Sequence, residues 1–148
     1  MSFGQGALAE GLNAQMGVVE RMLAAQVSFD DLQVDPATSH LAQAGGKRLR
    51  PLLVLLAAQL GPRPQDPAVY DAAVVVELTH LASLYHDDVM DSAPTRRGVP
   101  SAQHLWGNNR AILAGDILFA RASLLVASLG PEIVAHHART FERLCEGQ

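Results

Sequence analysis

The chain has 148 residues, 49% of them hydrophobic and 18% charged, with a net charge of −4. That size and balance describe one folded domain with a real core and exclude a disordered chain, and the acidic excess disfavours general nucleic-acid binding. Cys145 is the single cysteine, so no internal disulfide can form, in keeping with a reducing cytoplasm.

Met1-Ser2-Phe3-Gly4 shows no basic region followed by an apolar core, so no secretory signal is read there. Apolar runs such as Leu52 to Ala58 are too short to cross a bilayer. Ala7 to Val27 reads as a helix with Leu8, Leu12, Met16, Val19 and Leu23 at helical spacing, a packing element or subunit contact. Asp35-Pro36, a capping acid before a proline, starts a second helix that runs to about Ala44 and stops at Gly45-Gly46. Lys47-Arg48-Leu49-Arg50 follows, and Pro51 opens an apolar helix to Leu60. After the loop Gly61-Pro62-Arg63-Pro64, Asp66-Pro67 repeats the start signal and opens a central helix. Its run Ala72 to Met90 lacks Gly and Pro and is apolar nearly all round, which places it in the middle of a bundle. Residues 95–100 read as a loop, Ser101 to Trp106 as a short helix, and Arg110 to Leu129 as a helix capped by Asn108 or Asn109. Gly130-Pro131 ends that helix and starts the last one, to about Glu146. No segment of strand period competes, so the predicted class is all-α.

His86-Asp87-Asp88-Val89-Met90-Asp91 puts three carboxylates at the end of the central apolar run. Buried acids are costly unless they are paired or bound to metal. Asp87 and Asp91, one turn apart, share a face with Cβ atoms roughly 6 Å apart, and Asp88 sits about 100° round the helix. Two carboxylates so spaced suit Mg²⁺, which completes its shell with water and phosphate oxygens. The bland alternative is a solvated acidic helix end.

Gly45-Gly46-Lys47-Arg48-Leu49-Arg50-Pro51 combines permissive backbone with cations, and arginine's planar fork matches phosphate oxygens. A solvated loop of ordinary surface cations reads equally well. Arg96-Arg97-Gly98 is a second cluster, five residues beyond Asp91. Two basic loops flanking one acidic helix suit a diphosphate bridged by metal; the alternative is that the arginines simply neutralise the aspartates. His80 lies two turns before Asp87 on nearly the same face and could donate to a phosphate, although a lone histidine on an apolar helix is more often a core residue. His86 reads as structural, Asp116 as a buried salt-bridge or hydrogen-bond partner, and Cys145 as inert.

In order and spacing, Gly45 to Pro51, Glu77 to Asp91, Arg96-Arg97-Gly98 and Ala114-Gly115-Asp116 resemble the N-terminal half of a trans-type polyprenyl diphosphate synthase. The resemblance implies an isoprenoid-synthase-type helical bundle and a Mg²⁺-dependent transferase of isoprenoid biosynthesis. It implies that Lys47, Arg50 and His80 bind isopentenyl diphosphate with help from Arg97, and that Arg96 holds an allylic prenyl diphosphate. It implies that Asp87 and Asp91 ligate Mg²⁺, with Asp88 in support. The implied reaction ionises the allylic diphosphate, lets the isopentenyl double bond attack the cation, and ends with loss of a proton. An apolar, water-poor wall protects such a cation.

The family carries a second aspartate-rich motif in its C-terminal half, and nothing after Asp116 resembles it. Residues 1–148 are therefore expected to be the N-terminal part of one synthase domain, inactive alone. The expected partner is a second copy, as a homodimer, or a chain supplying that motif. Two other readings are a class I terpene cyclase, disfavoured by the Lys47 and Arg96-Arg97 clusters, and a non-catalytic subunit of a heteromeric synthase. Below the acids, the acid face carries Ser83, Ala82 and then Thr79, where some family members resemble a floor of aromatic residues. The missing floor predicts a medium- or long-chain product.

Overall fold

The computed structural model describes residues 6–31 and 34–148; the reading of Met1 to Gly4 lies outside them. The elements are α1 (Ala7–Val27), α2 (Asp35–Gln43), α3 (Leu49–Ala58), α4 (Pro67–Met90), β1 (Thr95–Arg96), β2 (Val99–Pro100), α5 (Ala102–Trp106), α6 (Asn108–Ser128) and α7 (Pro131–Glu146).

The organising element is α4. Asp66 caps it by accepting from the Ala68 amide at 3.0 Å, and Pro67 pre-sets the first turn. Its core side is apolar: Ala73, Val74, Leu78, Leu81, Ala82 and Tyr85 are each 0% exposed. Burying each such leucine contributes roughly 2 kcal/mol. This side packs most extensively on α6, then on α3 and α1. The Tyr85 hydroxyl donates to Ala37 O at 2.5 Å and accepts from the Leu41 amide at 3.2 Å, pinning α2 to α4. Burial raises the Tyr85 pKa to about 12, so the hydroxyl keeps its proton.

The α4–α6 contact is close because Gly115 has no side chain. A Cβ there would lie 2.5 Å from His86 Nε2 and 3.2 Å from Ala82 O. The α6 helix is long and apolar enough to cross a membrane by length and composition, contrary to the expectation drawn from the shorter runs. It lays Ala111, Ala114, Leu118, Ala122 and Val126 against its neighbours.

Three local expectations are corrected. Residues 95–100 form an antiparallel hairpin, with Thr95 paired to Pro100 and Arg96 to Val99. Two-residue strands are too short to show a period, and the turn residues Arg97 and Gly98 have φ of 54° and 79°, the positive pair of a tight hairpin. Asp35 makes no cap to its own helix; its carboxylate accepts from the Phe29 amide at 2.8 Å. Asn108 and Asn109 lie inside the first turn of α6, behind Gly107.

Candidate active site

A cleft of about 740 Å³ opens between α3, α4, α6 and α7. The α4 side contributes Val76, Thr79, His80, Ser83, Asp87 and Met90. Opposite it, α7 presents His137, Thr140, Phe141 and Leu144. The α7 helix buries no residue fully, so its apolar face is a wall of the cleft rather than part of the core. Phe119 of α6 and Phe141 of α7 meet in a tilted contact, 4.6 Å between ring centroids, and both line the cleft. The central helix is thus half in the core and half on the cleft, rather than buried all round.

Asp87 lines the polar end. Burial raises its carboxyl pKa; Arg96 opposes the shift, and Asp91 and Asp88 reinforce it. Asp91 is the exposed C-cap residue of α4, one turn beyond. Among the described residues no cation lies within ion-pair distance of Asp87 or Asp91. Nor do three His, Cys, Asp or Glu side chains converge there or elsewhere among those residues. The local excess of negative charge on two carboxylates fits a divalent cation that draws its remaining ligands from water and substrate.

Asp88 is different. It is 0% exposed, and Arg96 holds its Oδ1 through Nε at 2.7 Å and Nη2 at 2.6 Å. Its Oδ2 has no hydrogen-bond partner. For this pair the neutralising alternative describes the geometry: helix rotation turns Asp88 away from Asp87 and Asp91, toward the hairpin.

The cations divide into two layers. Arg50 lines the cleft, and Lys47 is exposed beside it in sequence. Arg48, read as one of three loop cations, is 8% exposed and structural. It donates to Glu20 Oε1 at 2.8 Å, Glu77 Oε1 at 2.9 Å and Ala42 O at 2.9 Å. Burial works against its charge, but both glutamates raise its pKa. Arg97 donates to Leu41 O at 2.9 Å and to Gly45 O, with Nη2 3.9 Å from Glu77. A Cβ on Gly46 would meet the Arg97 guanidinium at 3.0 Å, so the second glycine lets the loop lie on that arginine. Burial, then the Arg48 charge, lowers the Arg97 pKa. Both arginines occupy left-handed backbone, at φ 46° and 54°. Glu77 is the residue that sequence reasoning missed; a glutamate inside an apolar run implied a buried cation partner.

His80 lines the cleft beside Arg50. Burial, followed by the fields of Arg50, Arg97, Arg96 and Arg48, drives its pKa down to about 4. Of these four arginines Arg50 lines the cleft, and the charges of the other three reach His80 from their own pairings. Ser83 and Thr79 line the same wall, whereas Ala82 does not: it is fully buried, and its backbone oxygen lies against Gly115 of α6. Its expected place under the growing chain is corrected; one residue of helix rotation turns it from cleft to core. His86, read as structural, also lines the cleft, 3.3 Å from Asp116 Oδ1. Asp116 is 60% exposed, not buried. Cys145 is exposed on the rim.

Fold and site define a helical bundle whose apolar cleft carries Asp87, Arg50 and His80 at its polar end. The polyprenyl synthetase family model matches residues 32–148. The chain is 49% identical over its full length to a nonaprenyl diphosphate synthase from Mycobacterium tuberculosis, covering 44% of that protein. It is 41% identical over 93% of its length to a heptaprenyl diphosphate synthase component 2 from Geobacillus stearothermophilus, covering 43% of it. A geranylgeranyl pyrophosphate synthase from Corynebacterium glutamicum, solved with calcium and isoprenyl diphosphate, superposes with a TM-score of 0.86 at 47% identity, over 100% of this chain and 45% of that one. The chain belongs to the polyprenyl synthetase family, and it spans under half the length of these relatives.

Proposed function

We propose that residues 1–148 form the N-terminal part of one synthase domain and supply the diphosphate-binding half of a prenyltransferase. The substrates in this reading are isopentenyl diphosphate and an allylic prenyl diphosphate, and the product is a medium- or long-chain trans-polyprenyl diphosphate. The observation that carries it is the polar end of the cleft, lined by Arg50, His80 and Asp87, where burial and then the charges of Arg50, Arg97, Arg96 and Arg48 lower the His80 pKa to about 4. An anion seated among those cations, with its apolar tail down the cleft, satisfies both halves of the site.

Arg50, Lys47 and neutral His80 would bind isopentenyl diphosphate, with Arg97 behind them shaping the glycine loop. Arg96, held by Asp88, would face the allylic diphosphate. Asp87 and Asp91 would hold Mg²⁺, which when bound supplies charge stabilisation for the departing diphosphate. Phe119, Phe141 and the α4 wall would keep water from the allylic cation. The Geobacillus relative's description as a component favours association with another chain; a homodimer is the other form of that association. The proposed compartment is the cytoplasm.

The test is equilibrium binding of a non-ionising farnesyl thiolodiphosphate with Mg²⁺. Asp87→Asn and Asp91→Asn should each weaken it at least about tenfold, the size of one charge-assisted contact, with the melting temperature unchanged. Undiminished affinity in both variants overturns the metal assignment. Turnover should appear only when a chain carrying the second motif is added.

A further inference from the structure

Below the level of the acids, a polar link joins α4 and α7 across the cleft. Thr79 lies eight residues before Asp87, which is about 12 Å down the helix axis. Its hydroxyl donates to Val75 O at 2.9 Å, leaving its lone pairs to accept from His137 Nε2, also at 2.9 Å. Burial lowers the His137 pKa and so favours the neutral ring. Among the described residues this is the one hydrogen bond between α4 and α7.

The apolar wall does not stop there. A second hollow of about 430 Å³ lies further down, lined by Val69, Ala72, Leu129 and Ile133, and Val54 lines both spaces. Val76 and Ala72 precede Thr79 by three and seven residues, so they continue its face of α4 downward.

We propose that the Thr79–His137 hydrogen bond is a crossbar between the two hollows, and that it sets the prenyl length the cleft accepts before the bond must open. The proposal rests on the prenyl-diphosphate reading above. A short tail ends above the bond. A longer one meets two polar groups that satisfy each other, and to pass it must separate them and surround both with hydrocarbon. The separation leaves the core intact, because α7 buries no residue fully. The floor expected to be missing is thus a polar bar built from a helix distant in sequence.

The experiment measures binding of geranyl and geranylgeranyl thiolodiphosphates, with Mg²⁺, to the 148-residue chain and to its Thr79→Val and His137→Leu variants. In both variants the ratio of geranylgeranyl to geranyl affinity should rise by about fivefold, the size of one net hydrogen bond. In the parent, the longer probe and not the shorter should shift the His137 imidazole resonance. If both probes bind but neither variant changes the ratio, the crossbar is wrong and the prenyl-diphosphate reading stands. If neither probe binds the parent, both fall. Should a variant fail to fold, the parent's His137 resonance decides: an equal shift with both probes overturns the crossbar.

Discussion

His80 shows how one residue can report on a whole site. Its folded pKa of about 4 lies below the ordinary 6.5 because burial, then Arg50, Arg97, Arg96 and Arg48, all oppose a proton. Between those values the unfolded chain binds protons that the folded chain refuses. Stability should therefore rise with pH across this window and fall as pH drops from 6.5 toward 4. His137, lowered by burial, acts in the same direction. Imidazole resonances should give a His80 midpoint near 4, and urea midpoints should fall over the same range. Inorganic pyrophosphate should move the His80 midpoint upward, because an anion offsets the arginine fields. An ordinary midpoint unaffected by pyrophosphate would remove the electrostatic argument for the anion site. The type and spacing of His80 were legible in the sequence; that the charges of Arg48, Arg96 and Arg97 reach it was not, because Glu77 and Asp88 place those arginines through contacts across elements.

The α4–α6 contact is decided by Gly115. Gly115→Ala adds a methyl group 2.5 Å from the His86 ring and 3.2 Å from Ala82 O, so the ring must swing or the helices part. A loss of roughly 1–3 kcal/mol is expected from overpacking. His86→Ala in the same chain should restore much of it, since the ring is the nearer obstacle. Urea denaturation of the single and double variants checks this, and a double variant no more stable than Gly115→Ala would assign the clash to the backbone. The elements themselves were largely readable in advance. Asp66-Pro67 starts α4 as its residue types require, and Gly130-Pro131 divides α6 from α7. The hairpin was not, because its conformation depends on left-handed backbone at Arg97, a residue type that does not advertise it.

At the scale of the molecule, large apolar side chains remain open to water, among them Leu60 at 92% and Leu124 at 71% exposure. Surface of that kind marks contact with other protein where it forms a contiguous patch. The chain should associate as its concentration rises, and Leu60→Glu with Leu124→Glu should shift light-scattering masses toward the monomer. A parent that stays monomeric throughout would show that these side chains are simply solvated. By itself the sequence determined the helices, the acid pair one turn apart and the two basic loops, because period and capping are local properties. The tertiary structure alone decided that Arg96 serves Asp88, that Arg48 and Arg97 meet at Glu77, that Ala82 faces the core, and that His137 crosses the cleft to Thr79. Helical spacing fixes which side chains share a face. What that face meets depends on how neighbouring helices are rotated and how closely they approach, and here a glycine and a buried glutamate on different segments set both.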